Sequence, residues 1–291
     1  MRPSCSGYAV MSVQPLAADA TAWASDLARA GDFSALGHAR YDGEAMRRRL
    51  ALLAQVLVEA QRRSVAGEAA WQRVDWNRVV VAGFDLGAYT AMTIAGERRE
   101  ADTEDRPPRM RILAAIAISP VVGTSVSPGY GGIAVPVLSV SSDVDGDPMG
   151  IIADPRQRSV PFDRMNGPDK YFLSMYGLAH STLSGTPDQA GQRSGTGKTP
   201  RDGESGRQRV GGGRRRSSGE EAGPERNRTN ADDDAAANAR SAKVLQARVL
   251  IAQGITTAFL DAYVKGDPRA REWWSTEATR SLGGTGELRR K

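Results

Sequence analysis

Apolar positions along this chain fall into short continuous runs that alternate with stripes of helical period. Tyr8 to Val13 is a compact apolar run that stops at Gln14 and Pro15, and it reads as a buried strand. Beyond the turn at Asp42 and Gly43, Met46, Leu50, Leu53 and Leu57 share one face of a helix. Arg47, Arg48, Gln55 and Glu59 lie opposite them. Val79 to Gly83 is a second strand, and the chain turns at once into a helix over Gly87 to Glu97. Ile112 to Ile118, Val135 to Val140 and Lys170 to Tyr176 complete a set of five strands. A last helix over Ala242 to Lys265 carries two adjacent apolar rows and stops at Gly266. Strand and helix in alternation predict an α/β fold with a mostly parallel sheet.

Between Leu183 and Leu245 the large apolar residues are Val210 and Val244 alone, and no aromatic occurs between Tyr176 and Phe259. Such a stretch cannot bury enough surface to offset the entropy of ordering it. The expected organisation is a core over 1–183, a disordered low-complexity insertion over 184–240, a core helix over 241–275 and a flexible tail over 276–291.

One cysteine, Cys5, excludes a disulfide framework, and two histidines, His38 and His180, exclude a multi-histidine metal centre within one chain. The net charge of +5 comes partly from Arg214, Arg215 and Arg216 inside the polar insertion, so it does not point to nucleic acid. The longest apolar run, Ile112 to Val122, is broken by Ser119 and Pro120 and is too short to span a membrane. No charged-then-apolar leader follows Met1, which implies a cytoplasmic location if that start is genuine. The segment Gly191 to Thr199 imitates a phosphate-binding loop but has Gln192 where the first glycine is required. Asn227 to Thr229 is a glycosylation sequon, without meaning unless the chain is exported. His38 reads as a surface residue, and Trp273–Trp274 as packing for the last helix.

In open parallel sheets, functional groups gather where strands end. Three candidates sit there: Asp85 after the second strand, the loop of Asp143, Asp145 and Asp147 after the fourth, and His180 after the fifth. Asp85 is then a candidate nucleophile and His180 a candidate general base. Asp145 is the preferred acid to orient the imidazole, with Asp143 and Asp147 left open.

The stretch Val81, Ala82, Gly83, Phe84, Asp85, Leu86, Gly87 to Ala91 resembles the nucleophile elbow of α/β-hydrolases. It is most similar to the predicted dienelactone hydrolase and platelet-activating-factor acetylhydrolase-like group. Val135 to Gly150 resembles that group's acid loop, Asp169 to Gly185 its histidine segment, and Thr257 to Asp267 its last helix. The resemblance implies an α/β-hydrolase-like sheet flanked by helices, a small-molecule substrate, and neither metal nor organic cofactor. It also implies catalytic Asp85, Asp145 and His180, with the Leu86 N–H as an oxyanion donor.

Two departures qualify it. Asp85 stands where the group has serine, as in the aspartate nucleophiles of haloalkane dehalogenases and epoxide hydrolases. The strand and His-Gly loop that resemblance places before Tyr8, and with them the second oxyanion donor, are absent, so the sheet is expected to be N-terminally incomplete. The leading expectation is therefore a hydrolase of a small ester or related bond. The alternatives are an aspartate-nucleophile hydrolase of alkyl halides or epoxides, and a non-catalytic relative that binds in the same cleft.

Overall fold

The β-branched run at Val79, Val80 and Val81 extends the chain into a strand, and the computed structural model builds the sheet outward from it. The structure describes residues 7–14, 16–96, 111–121, 130–147, 149–186 and 225–291. Four helices come first: α1 (Leu16–Trp23), α2 (Asp26–Arg29), α3 (Phe33–Arg40) and α4 (Gly43–Val65). Asp42 caps α4 by accepting the Ala45 N–H at 2.6 Å; of the predicted stripe, Met46 and Leu57 are buried and Leu50 and Leu53 half-buried, and Ala60 is buried as well.

Strand β1 (Val79–Phe84) leads into α5 (Leu86–Ile94), and β2 (Ile112–Ile118) and β3 (Val137–Ser141) follow. A short α6 (Val160–Arg164) precedes β4 (Lys170–Met175), which leads into α7 (His180–Leu183). The long α8 (Glu225–Leu260), α9 (Pro268–Thr276), α10 (Ala278–Ser281) and β5 (Gly286–Arg290) close the chain. The sheet order is β1-β2-β3-β4-β5; β1 to β4 run parallel, and β5 pairs antiparallel with β4.

Alternate residues of these strands enter two cores. Ile116, Leu138, Val140 and Leu173 face Ile255, Phe259 and Ala262, while Ala115, Ala117 and Val137 face Ala88, Met92 and Ala95. The result is an α/β fold with a mostly parallel sheet between helical layers. Among the described residues, no helix is long and apolar enough to cross a membrane.

Three sequence expectations change. Tyr8–Val13 is not a strand: Gly7–Gln14 pairs with no strand, and Val10 is 89% exposed. Tyr8 donates to Asp261 Oδ1 at 3.1 Å and lies under the Lys265 ammonium. The flexible tail is instead α10 and β5: Leu288 is buried opposite Leu173, and the Lys291 ammonium donates to the carbonyls of Phe162, Asp163 and Met165. Charged residues on the outer side of an edge strand concealed it. The last helix begins at Glu225 rather than Ala242, so only 187–224 of the expected insertion lies outside the described residues. Its end is where it was expected: a π-helical turn over Asp261–Lys265 closes it, and Gly266 provides the left-handed stop at φ 72°. Trp274 is buried edge-on against Tyr171 at 4.9 Å, which gives the tryptophan pair the packing role expected of it.

Candidate active site

Gly83 and Asp85 make the sharp reversal from β1 into α5. A Cβ on Gly83 would fall far inside contact with the Gly87 carbonyl and 2.6 Å from the Ala88 nitrogen. Gly87 itself has open space where its Cβ would be, so only the first glycine provides clearance. Asp85 adopts φ 52°, ψ −111°, a region rarely open to a residue with a side chain, and its N–H is held by the Ile118 carbonyl at 2.8 Å. This conformation presents a carboxylate that is 28% exposed at the carboxyl end of the sheet. Leu86 opens α5, so its N–H has no acceptor within the helix.

The three aspartates of the acid loop have different partners, and the one preferred from the sequence, Asp145, is the one that meets the imidazole. Asp143 accepts the Gly177 N–H at 2.6 Å and ties the loop to the end of β4. Asp147 accepts from the N–H groups of Met149, Ile151 and Ile152, shaping the next turn. Asp145 alone reaches the imidazole: its Oδ1 is 2.7 Å from His180 Nδ1, while Ser141 Oγ donates to its Oδ2 at 2.7 Å. That short contact requires the proton on Nδ1, leaving Nε2 with a basic lone pair. The His180 ring packs on Phe84 at 4.6 Å. His38 is exposed on α3.

Arg158, which the sequence reading missed, joins the three groups. It sits on a 3₁₀ turn, Pro155–Ser159, and its side chain is wholly buried. Nη1 donates to Asp85 Oδ1 at 3.3 Å and to the Ser119 carbonyl at 2.8 Å. Nε reaches the Asp145 carbonyl at 3.4 Å and lies 3.6 Å from its Oδ2. Nη2 is 3.3 Å from His180 Nδ1, a packing contact when that nitrogen carries its proton. One guanidinium thus lies between two carboxylates and beside the imidazole. The neighbouring Tyr41 hydroxyl is also buried; burial first, and the Asp85 charge second, raise its pKa and keep it protonated.

Burial pushes the Asp145 carboxyl up, but the His180 hydrogen bond, the Arg158 charge and the Ser141 hydroxyl together hold it below its ordinary value. A depressed carboxylate contributes stability that is complete above its unfolded pKa and is lost as pH falls through the lower, folded one. Asp145→Asn should therefore weaken the fold by about 3 kcal/mol at neutral pH, because it leaves Arg158 with one carboxylate fewer. It should also remove part of the acid-induced loss of stability below about pH 4. Denaturant titrations at pH 7 and pH 3.5 check both effects; equal losses at the two values would contradict them.

Chemically, the cluster holds a partly exposed carboxylate fixed at one oxygen, and an imidazole oriented by a buried acid. No family model matches the sequence, and no curated protein matches it.

Proposed function

We propose that this chain is an α/β-hydrolase-like enzyme in which Asp85 opens an sp³ carbon–halogen or epoxide bond, and water activated by His180 then releases the product. The observation that carries the reading is that one buried guanidinium, Arg158, touches both the carboxylate at the strained β1–α5 turn and an imidazole already paired with a buried acid. A carboxylate needs no base to attack, so the imidazole is reserved for water. Attack on saturated carbon gives an alkyl ester of Asp85, a cleavable intermediate. Attack on a carboxylic ester would give an anhydride instead. The resemblance of the elbow, acid loop and histidine segment to α/β-hydrolases supports the same assignment of roles.

The test is a single turnover in ¹⁸O-water with a primary bromoalkane and a terminal epoxide, followed by mass analysis of the peptide that carries Asp85. Solvent oxygen is expected in the Asp85 carboxylate, because water attacks its carbonyl carbon. Turnover without label in that peptide would sink covalent attack.

A second reading, hydrolysis of a small ester by direct His180-activated attack of water, is favoured by the Asp145–His180 pair being complete without Asp85. Ester turnover that survives Asp85→Asn and fails in His180→Gln selects it. Silence on halides, epoxides and esters alike leaves a hydrolase-like binding protein.

A further inference from the structure

We infer that Arg158 is a catalytic residue of the second chemical step, in which its Nη1–H stabilises the oxyanion that forms on Asp85 Oδ1 when water attacks the alkyl-enzyme. The inference rests on the covalent reading above. The resemblance assigns one backbone donor, the Leu86 N–H, to that charge, and acyl-type intermediates are commonly held by two donors. Arg158 Nη1 already contacts Asp85 Oδ1 at 3.3 Å, so Oδ2 is assigned as the attacking oxygen.

The guanidinium is fixed before reaction begins. The Ser119 carbonyl, the Asp145 carbonyl and carboxylate, and the His180 ring hold it on three sides, and none of its side chain is exposed. A donor immobilised away from water costs no reorganisation when charge develops, and its field is weakly screened.

Charge along the reaction gives the arginine a directional effect. In the resting enzyme it faces an anionic Asp85. Alkylation breaks the carbon–halogen bond, halide departs, and Asp85 becomes a neutral ester. Water then adds to Cγ as its proton passes to His180 Nε2, and the carbonyl electron pair moves onto Oδ1. Arg158 regains an anionic partner at that moment. Collapse expels the alkoxide carrying Oδ2, which takes the proton from His180. The carboxyl group now holds one water oxygen and releases a proton to solvent, so haloalkane and water become alcohol, halide and a proton. Arg158 stabilises the reactant of the first step and the transition state of the second. Only the second is accelerated.

The experiment is rapid-quench intact-mass analysis with 1-bromohexane on wild type, Arg158→Gln and His180→Gln. Arg158→Gln is expected to alkylate at least as fast as wild type but to hydrolyse the adduct about 10²–10³-fold more slowly, so one hexyl group accumulates per chain. Arg158→Lys keeps the cation without its fork and should fall between the two, and it serves as the test if the glutamine variant does not fold. A merely structural arginine would slow both steps together. Adduct on His180→Gln but wild-type adduct hydrolysis in the folded Arg158 variant overturns the inference and leaves the covalent reading standing. No adduct on any variant, with no turnover by wild type, rejects the covalent reading itself.

Discussion

His180→Gln should turn repeated turnover into a single round of alkylation. Glutamine keeps polar contact with Asp145 but has no nitrogen that accepts a proton near neutral pH. In the proposed mechanism Asp85 needs no base, so its attack on a haloalkane should survive. The ester then waits for water that nothing deprotonates, and its hydrolysis should fall about 10²–10⁴-fold, the range associated with loss of a general base. One halide ion per chain should be released in a burst, followed by almost none. Intact mass should rise by one alkyl group, located at Asp85 by fragmentation. A proportional loss of the burst and the steady state would mean that the imidazole assists attack itself, and the roles assigned here would have to be exchanged.

The placement of Asp85 and His180 at one end of the sheet was legible in the sequence because both follow strands that local pattern identifies. The β-branched run before Gly83 marks β1, and the uncharged run Tyr171 to Met175 marks β4. Strand ends in a parallel sheet lie on one rim, so sequence position translated into spatial proximity. Arg158 had no such marker. Its neighbours Arg156 and Gln157 are exposed, and a turn of that composition reads as solvated surface. Only the tertiary fold shows that one of its two arginines passes inward beneath Ser119. Choosing Asp145 over Asp143 and Asp147 likewise depends on which side chain turns under the imidazole, a difference that periodicity within a five-residue acidic loop cannot express.

At Tyr8–Val13 and β5 the local reading failed in opposite senses, for one reason. A strand is stabilised by its neighbour as much as by its own residues. Tyr8–Val13 has the residues and, among those described, no partner strand. Gly286–Arg290 has a charged sequence and a complete antiparallel partner in β4, with Leu288 as its one buried apolar contact. Residues 225–240 failed differently: their alanines support helix without an apolar face, so hydrophobic pattern alone could not reveal them.

The turn that presents Asp85 should be far less tolerant at Gly83 than at Gly87, although both are glycines of the same short motif. Gly83→Ala places its methyl against the Gly87 carbonyl and the Ala88 nitrogen, backbone atoms at the start of α5 that no rotamer change can move. Relief requires α5 to withdraw from β1. That would open the contacts of Ala88, Met92 and Ala95 with the sheet and release the strained φ of Asp85. A loss of more than about 4 kcal/mol is expected, in the exceptional class for single substitutions. Gly87→Ala meets nothing within 4 Å and lies in a helix, where alanine is favoured by roughly 0.5–1 kcal/mol. Paired denaturant titrations should therefore move the midpoints in opposite directions. If both substitutions are equally mild, α5 is not pressed against the turn, and the conformation that exposes the Asp85 carboxylate must be maintained by other contacts.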